Sequence, residues 1–259
     1  MDWRNVQKRL HQVGRQYTLA AEITSPSLPM RYGSDGQPKG QDLAEKLGFH
    51  SLWDLSSPDS GAAVTASNSS WVRLVQSNGI DYFVKTYDYP TIRSRLRGTL
   101  RNTGPLRPSR SQREAAALQW FRLHNFPAPA FTGFAELRRL GWLKRAVLVT
   151  QRFPGRDLAA LLPSESPSNR DAIGACIGTF VQRMHDLGFR DRNLDLRNLL
   201  LADDRSSLAI AKIDSPRHRL VRIGKRSDRL ARADWTRLLP QLDAFGIAAV
   251  ALRAAGLAT

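Results

Sequence analysis

The sequence predicts an α+β protein in two parts, a small β-rich part followed by a mainly helical one. Three observations carry this. Trp71-Val72-Arg73-Leu74-Val75 and Ile80-Asp81-Tyr82-Phe83-Val84-Lys85-Thr86-Tyr87 are β-rich runs, and Ser77-Asn78-Gly79 between them signals a hairpin. Ile173, Ile177, Phe180, Met184 and Leu187 step by four, three, four and three, which puts an apolar stripe along a long helix. Between that helix and the apolar run Leu199-Leu200-Leu201 lies a short loop dense in Asp, Asn and Arg. Packing alone does not explain so many polar groups there.

Composition sets the bounds. The 259 residues suffice for one large domain or for two lobes with real cores, and 42% apolar content is ordinary for a globular protein. Lys plus Arg number 39 against 23 Asp plus Glu, a net charge of +16. That excess favours a phosphorylated substrate, an anionic lipid or nucleic acid as partner, and a merely solvated basic surface accounts for it equally well. The single cysteine, Cys176, excludes an intrachain disulfide, fits a reducing compartment and is expected buried on the apolar side of its helix. Histidines at 11, 50, 124, 185 and 218 lack metal-ligand spacing with it, which argues against structural zinc. Met1-Asp2-Trp3-Arg4 lacks the apolar core of a signal peptide, and no apolar run approaches the roughly 20 residues of a membrane span. A cytoplasmic location is expected, with room for contact at the inner membrane face.

The elements follow in order. Residues 1–60 read as an N-terminal extension of uncertain role: a basic, helical Asn5–Tyr17, a loop over Pro26–Gly40 and a short helix from Asp42 that ends at Gly48. Lys85 falls inside the second strand of the hairpin, where a lysine is costly unless paired or reaching water. It is either an edge-strand lysine or a phosphate-binding one held by a carboxylate. Residues 93–113 carry Arg93, Arg95, Arg97, Arg101, Arg107, Arg110 and Arg113 among glycines and prolines, a basic loop suited to an anion or to solvent. A helix begins near Ser111 with Glu114 in its first turns, a place that suits the helix dipole without any function. Ala146–Thr150 is a buried strand, Gln151–Gly155 a connector and Asp157–Leu162 a short helix. Ser168, with Asp171 three residues on, opens the long helix, and Gly188 caps its end. After the polar loop come strands at Leu199–Leu201 and Leu208–Ile213, turning at Asp203-Asp204, with Asp214 at the end. Ser227-Asp228 opens a helix containing Leu230, Trp235, Leu238 and Leu239, and the Ala-rich Phe245–Leu257 is helical.

The polar loop has the spacing of a kinase catalytic loop, in which a carboxylate faces the acceptor hydroxyl and an Asn five residues later holds a metal ion. The second position is Asn198 and the first is Asn193, where an Asp is expected. Lys85, Glu114, Asn198, Asp214 and Asp228 occur in a fixed order on matching strands and helices. With Tyr82–Tyr87, Arg113–Leu118, Met184–Phe189, Asn193–Leu201 and Lys212–Arg217, they make roughly residues 60–240 resemble the protein-kinase-like fold. Within it the sequence is most similar to the lipopolysaccharide core kinases, which phosphorylate Kdo or heptose sugars.

The resemblance implies a bilobal protein-kinase-like fold, with a small β-rich N-lobe at 61–150, a mainly helical C-lobe at 151–259 and Gln151–Gly155 near the hinge. It implies that Lys85 contacts the α- and β-phosphates of ATP and pairs with Glu114. It implies that Asn198 and Asp214 hold Mg²⁺ and that Asp228 braces the catalytic loop.

Three departures stand out. Ala66-Ser67-Asn68-Ser69-Ser70, where a glycine-rich loop is expected, has no glycine, although small polar residues still present backbone N–H groups to phosphate. The metal motif reads Asp214-Ser215-Pro216, and the metal needs only its carboxylate. Asn193 cannot take a proton from a sugar hydroxyl, yet it can orient the acceptor, because positioning and electrostatics carry most of phosphoryl transfer. In an extended loop Asp191, Asn193 and Asp195 alternate onto one side, so Asp195, or in second place Asp191, is expected to supply the missing carboxylate.

Three functions compete. One is an ATP- and Mg²⁺-dependent kinase of a sugar hydroxyl on an anionic glycan or glycolipid. Another is a pseudokinase that binds nucleotide or a partner without transfer, as Asn193 and the missing glycines suggest. The third is a nucleic-acid binder, for which only the charge argues and no recognition motif exists.

Overall fold

The computed structural model of the protein describes residues 39–257, apart from 68, 92, 95–103, 105–106, 204–207 and 223. The helix expected over Asn5–Tyr17, most of the loop Pro26–Gly40, the centre of the Arg-rich connector (Arg95, Arg97, Arg101), Asn68 and Asp204 lie outside the described residues. The chain divides into two compact units between Phe153 and Pro154.

The first unit is built on an antiparallel sheet of five strands in the order β1-β2-β3-β5-β4. Its strands are β1 Ala62–Ser67, β2 Ser70–Ser77, β3 Ile80–Asp88, β4 Phe131–Arg139 and β5 Trp142–Gln151. Asn78 and Gly79 take positive φ (52° and 75°), the turn backbone that the β2–β3 hairpin requires. β3 is the central strand and alternates its side chains: Tyr82 and Val84 on one face, Phe83 and Lys85 on the other. Lys85 is therefore not an edge-strand lysine.

The Tyr82–Val84 face is covered by residues read from the sequence as an extension. Helix α1 (Lys39–Lys46) starts earlier than its pattern suggests, and with α2 (Leu52–Leu55) it seats Leu43, Ala44, Leu47 and Leu55 against Val75, Tyr82, Val84, Val147 and Val149. A helix of 8 residues does not hold itself in water; burying each leucine contributes about 1.5–3 kcal/mol, so the sheet holds α1 in place. Arg145 clamps the same segment. It is bidentate to Asp88 (3.1 and 3.0 Å), bonds Ser56 Oγ (3.0 Å) and stacks 4.1 Å from Trp53, while Trp71 donates to Ser56 O. Helix α3 (Arg110–Leu123) packs on β4 and β5, with Ser109 as its N-cap accepting from the Gln112 amide.

The second unit is mainly helical. A short strand, β6 (Gly155–Asp157), leads into α4 (Leu158–Leu161), which Asp157 caps. The long helix α5 runs Pro167–Asp186. Its cap is Ser166 with proline at the first position, two residues earlier than the Ser168 box. Ile173, Ile177, Phe180 and Met184 are buried as the stripe requires, and Gly188 turns the chain at φ +80°. Cys176 is half-buried rather than buried, and burial pushes its thiol pKa up.

Two small sheets follow, β7 (Phe189–Arg190) with β10 (Arg219–Leu220), and β6-β8-β9 with β8 at Leu199–Ala202 and β9 at Ile210–Lys212. Helices α6 (Lys225–Asp243) and α7 (Ala248–Ala254) complete the unit. Gly174 and Gly178, four apart on α5, admit α7 so closely that a Cβ on Gly178 would stand 2.1 Å from the carbonyl oxygen of Ala251.

That approach yields a prediction. Gly178→Ala forces α5 and α7 apart and costs about 1–3 kcal/mol, the usual penalty of overpacking; urea denaturation with an unchanged midpoint would rule out this packing.

Candidate functional site

Each unit carries part of the expected constellation. In the first, Lys85 stands between Val72 of β2 and Leu148 of β5. Its Nζ donates to Glu114 Oε2 at 2.9 Å and lies 5.6 Å from the Tyr87 ring. Glu114 is buried, and the Lys85 side chain keeps 20% exposure. A lysine paired this way takes a fixed direction instead of reaching for water. The structure thus joins these two predicted residues.

In the second unit the polar loop is held from below by one carboxylate. Asp234, on α6 and 1% exposed, accepts from the amides of Asp191 (3.0 Å, Oδ2) and Arg192 (2.7 Å, Oδ1). His185 Nε2 lies 3.2 Å from the same Oδ2, and burial pulls the His185 pKa below its ordinary value, so the neutral ring donates. The brace is Asp234 and not Asp228, which sits in the first turn of α6. A start-of-helix Asp is conspicuous in a sequence, whereas an Asp beside Trp235 in mid-helix reads as one more charge on an amphipathic segment. Sequence reasoning missed it, and the signal that could have found it is a carboxylate set against the apolar stripe of Leu230, Trp235 and Leu238 instead of on the polar face.

Arg190 is buried as well; its guanidinium donates to the carbonyls of His185 (2.6 Å) and Phe189 (2.8 Å), and burial draws its pKa down to about 10. Arg192 takes φ +60°, and this reversal breaks the extended alternation expected of Asp191, Asn193 and Asp195. The three do not share a task.

Asp191 goes inward. It is fully buried, with Oδ2 3.2 Å from the Nζ of Lys212, itself fully buried and also donating to Ile213 O. Burial raises the Asp191 pKa, and Lys212 opposes the rise. Asp195 caps the 3₁₀ turn Leu196–Asn198, accepts from the Arg197 amide (3.1 Å) and from its guanidinium (3.1 Å on each oxygen), and lies 3.7 Å from Arg237. The Arg197 hydrogen bonds hold its pKa below the usual carboxylate value.

Asn193, Asn198 and Asp214 do come together. Asn193 Nδ2 donates to both the carbonyl and Oδ2 of Asp214, each at 2.9 Å. Asn198 Nδ2 donates to Asn193 O at 3.1 Å, and the Ile213 amide bonds Asn198 O at 3.0 Å. Asp214 itself takes φ +57°, a backbone that Asp tolerates better than most residues and that turns its carboxylate toward Asn193. With its nitrogen committed, Asn198 presents Oδ1. The outcome is a pair of hard oxygen donors, Asn198 Oδ1 and the Asp214 carboxylate, of the kind Mg²⁺ prefers. Among the described residues no three of His, Cys, Asp or Glu cluster closely enough to hold a metal, so a cation here would draw its other ligands from substrate oxygens and water.

The buried pair generates a prediction. Lys212→Met strands the Asp191 charge and costs about 3–5 kcal/mol at neutral pH. Asp191 then has a folded pKa above its unfolded one, so the folded state binds more protons within that window. The loss shrinks as pH falls through the window and grows as pH rises. Urea melts at neutral and mildly acid pH measure it, and Lys212→Met/Asp191→Leu should recover most of the stability; a loss independent of pH in the single variant contradicts the pairing.

A comparison with curated proteins gives no match. Among solved structures, "WaaP in complex with acyl carrier protein" superposes with a TM-score of 0.58 at 16% identity, over 76% of this chain and 78% of that one. At that identity the likeness speaks for the fold, which is the α+β protein-kinase-like one. The family described as lipopolysaccharide kinase (Kdo/WaaP) matches residues 62–247, from β1 to the turn before α7. That span holds Lys85, Glu114, Asn193, Asn198, Asp214 and Asp234, and the chain belongs to the lipopolysaccharide kinase (Kdo/WaaP) family.

Proposed function

We propose that the protein is an ATP-dependent phosphotransferase acting on a sugar hydroxyl of a lipopolysaccharide-like or other glycan acceptor. The Lys85–Glu114 ion pair, made on the central strand with the carboxylate buried, is the observation that carries this reading. In it residues 61–150 act as the nucleotide-binding N-lobe and residues 151–259 as the C-lobe. Lys85 contacts the phosphates of ATP, and Glu114 keeps it aimed. Asn198 Oδ1 and the Asp214 carboxylate would hold Mg²⁺, which when bound neutralises charge on the phosphates.

Asn193 gives its Nδ2 to Asp214, so its Oδ1 is the atom offered to an acceptor hydroxyl. An amide oxygen orients that hydroxyl by accepting its hydrogen bond. It does not take the proton, and a loose transition state asks little of a base. Asp195 remains the candidate for a carboxylate near the acceptor, ionised at neutral pH because Arg197 holds its pKa low. Asp191, fully buried against Lys212, fits that role less well. The basic connector at 93–113 suits an anionic acceptor or the headgroups of an inner membrane face, and a cytoplasmic location fits. No helix among the described residues is long and apolar enough to cross a membrane.

One observation favours a second reading. Asn193 occupies the position of the expected proton-accepting carboxylate and is tied to the Asp214 carboxylate, as a nucleotide-binding pseudokinase could afford.

Calorimetry with ATP, with and without Mg²⁺, tests the nucleotide site. Wild type should bind in a Mg²⁺-dependent way. Lys85→Ala, which removes a charge-assisted contact worth about 1.5–3 kcal/mol, should weaken binding roughly tenfold or more, and Asp214→Asn should remove the Mg²⁺ dependence. No binding by wild type would sink the reading; binding without turnover on any glycan acceptor would favour the pseudokinase. Asp195→Asn separates that residue's two tasks, because Asn still caps the turn. Phosphorylation at the wild-type rate in Asp195→Asn would assign Asp195 to the turn alone.

A further inference from the structure

The inference concerns α6 and rests on the kinase reading. Arg229, Arg232, Ala233, Thr236 and Arg237 line an open groove of about 510 Å³. At i, i+3, i+4, i+7 and i+8 they share one face of the helix. The lining offers three guanidiniums and a hydroxyl, with no carboxylate. An apolar ligand finds little to bury against there. A multivalent oxyanion finds planar, forked donors that match phosphate geometry.

The groove's place in the unit gives it a task. The helix that forms it also carries Asp234, which is turned the other way to brace the loop amides. Arg237, at one end of the groove, has NH2 3.7 Å from Asp195 Oδ2, and Asp195 follows Asn193 by two residues. Arg197, which also binds Asp195, stands 76% exposed on the same loop. The groove therefore borders the segment that presents Asn193. Arg229 and Arg237 are eight residues apart, roughly 12 Å along the axis, a span that suits two phosphates on one sugar.

We propose that this groove binds the phosphate groups of a phosphorylated sugar and so selects the acceptor whose hydroxyl meets Asn193. Thr236 adds a hydrogen bond, and Arg237 links occupancy of the groove to the loop through Asp195.

Glucose bisphosphate, with glucose as the uncharged control, is the probe. Calorimetric titration of the full chain should show binding of the bisphosphate and none of glucose, with affinity falling as salt rises. Arg229→Gln/Arg232→Gln should weaken it at least about tenfold, the effect of losing charge-assisted bonds. Thermal melting checks that this variant is folded. If it is not, Thr236→Glu decides, because it sets a carboxylate among the guanidiniums at an exposed position and should weaken binding as strongly. Equal affinity in wild type and in a folded variant overturns the proposal, and so does absence of bisphosphate binding by wild type. ATP titrated into the same wild-type sample keeps the two readings apart: no ATP binding would end the kinase assignment while leaving the groove's ligand intact, whereas ATP binding without bisphosphate binding would end the groove assignment alone.

Discussion

The Asp234 carboxylate is the constraint on which the second unit's chemistry depends. Two consecutive backbone amides, those of Asp191 and Arg192, point at its two oxygens, and His185 adds a third donor to one of them. Two adjacent N–H groups converge on one carboxylate only if the chain leaves the fully extended form at Asp191, and the left-handed backbone of Arg192 then redirects the chain into Asn193. A buried carboxylate with this many donors has no better place to go, since each charge-assisted bond is worth about 1.5–3 kcal/mol and leaving one unmade costs more. The loop conformation is thus fixed by a residue about forty positions away, and Asn193 inherits its position from it.

The two units handle their charges differently. Lys85–Glu114 leaves the lysine partly open, so its field reaches outward to whatever binds there. Asp191–Lys212 is closed to solvent on both sides and presents nothing. It joins the loop to the end of β9, two residues before Asn193 on one side and two before Asp214 on the other. The Asn193–Asp214 contact repeats that link one step nearer the surface. Desolvation offsets most of the Coulombic gain in a pair like this, so it is better regarded as fixing register than as adding stability.

Local pattern made much of this legible. The β2–β3 hairpin was marked by Asn78-Gly79, the α5 stripe by its spacing, and Lys85, Glu114, Asn198 and Asp214 by residue type in a fixed order. What failed was whatever depends on distant partners. The period-two alternation of Asp191, Asn193 and Asp195 assumed an extended chain, and a single positive φ at Arg192 cancelled it. β4 went unread because Thr132-Gly133 interrupts its apolar pattern; the structure puts Gly133 under Leu43, where a Cβ would stand 2.9 Å from that side chain. Asp228 looked like a brace because helix starts advertise their acids, while Asp234 was hidden within the helix.

The Arg145 clamp bears on where this protein can be cut. Sequence similarity to the family begins at residue 62, and that border invites a shortened chain starting there. Such a chain would lose Trp53 and Ser56, leaving the Trp71 indole N–H and one arm of the Arg145 guanidinium with water alone. It would also bare Val75, Tyr82, Val84, Val147 and Val149 together as an apolar surface. A patch of that kind on a free sheet face drives self-association. The border of similarity is therefore not the border of the folding unit, and the yield of soluble material on expression should follow the second.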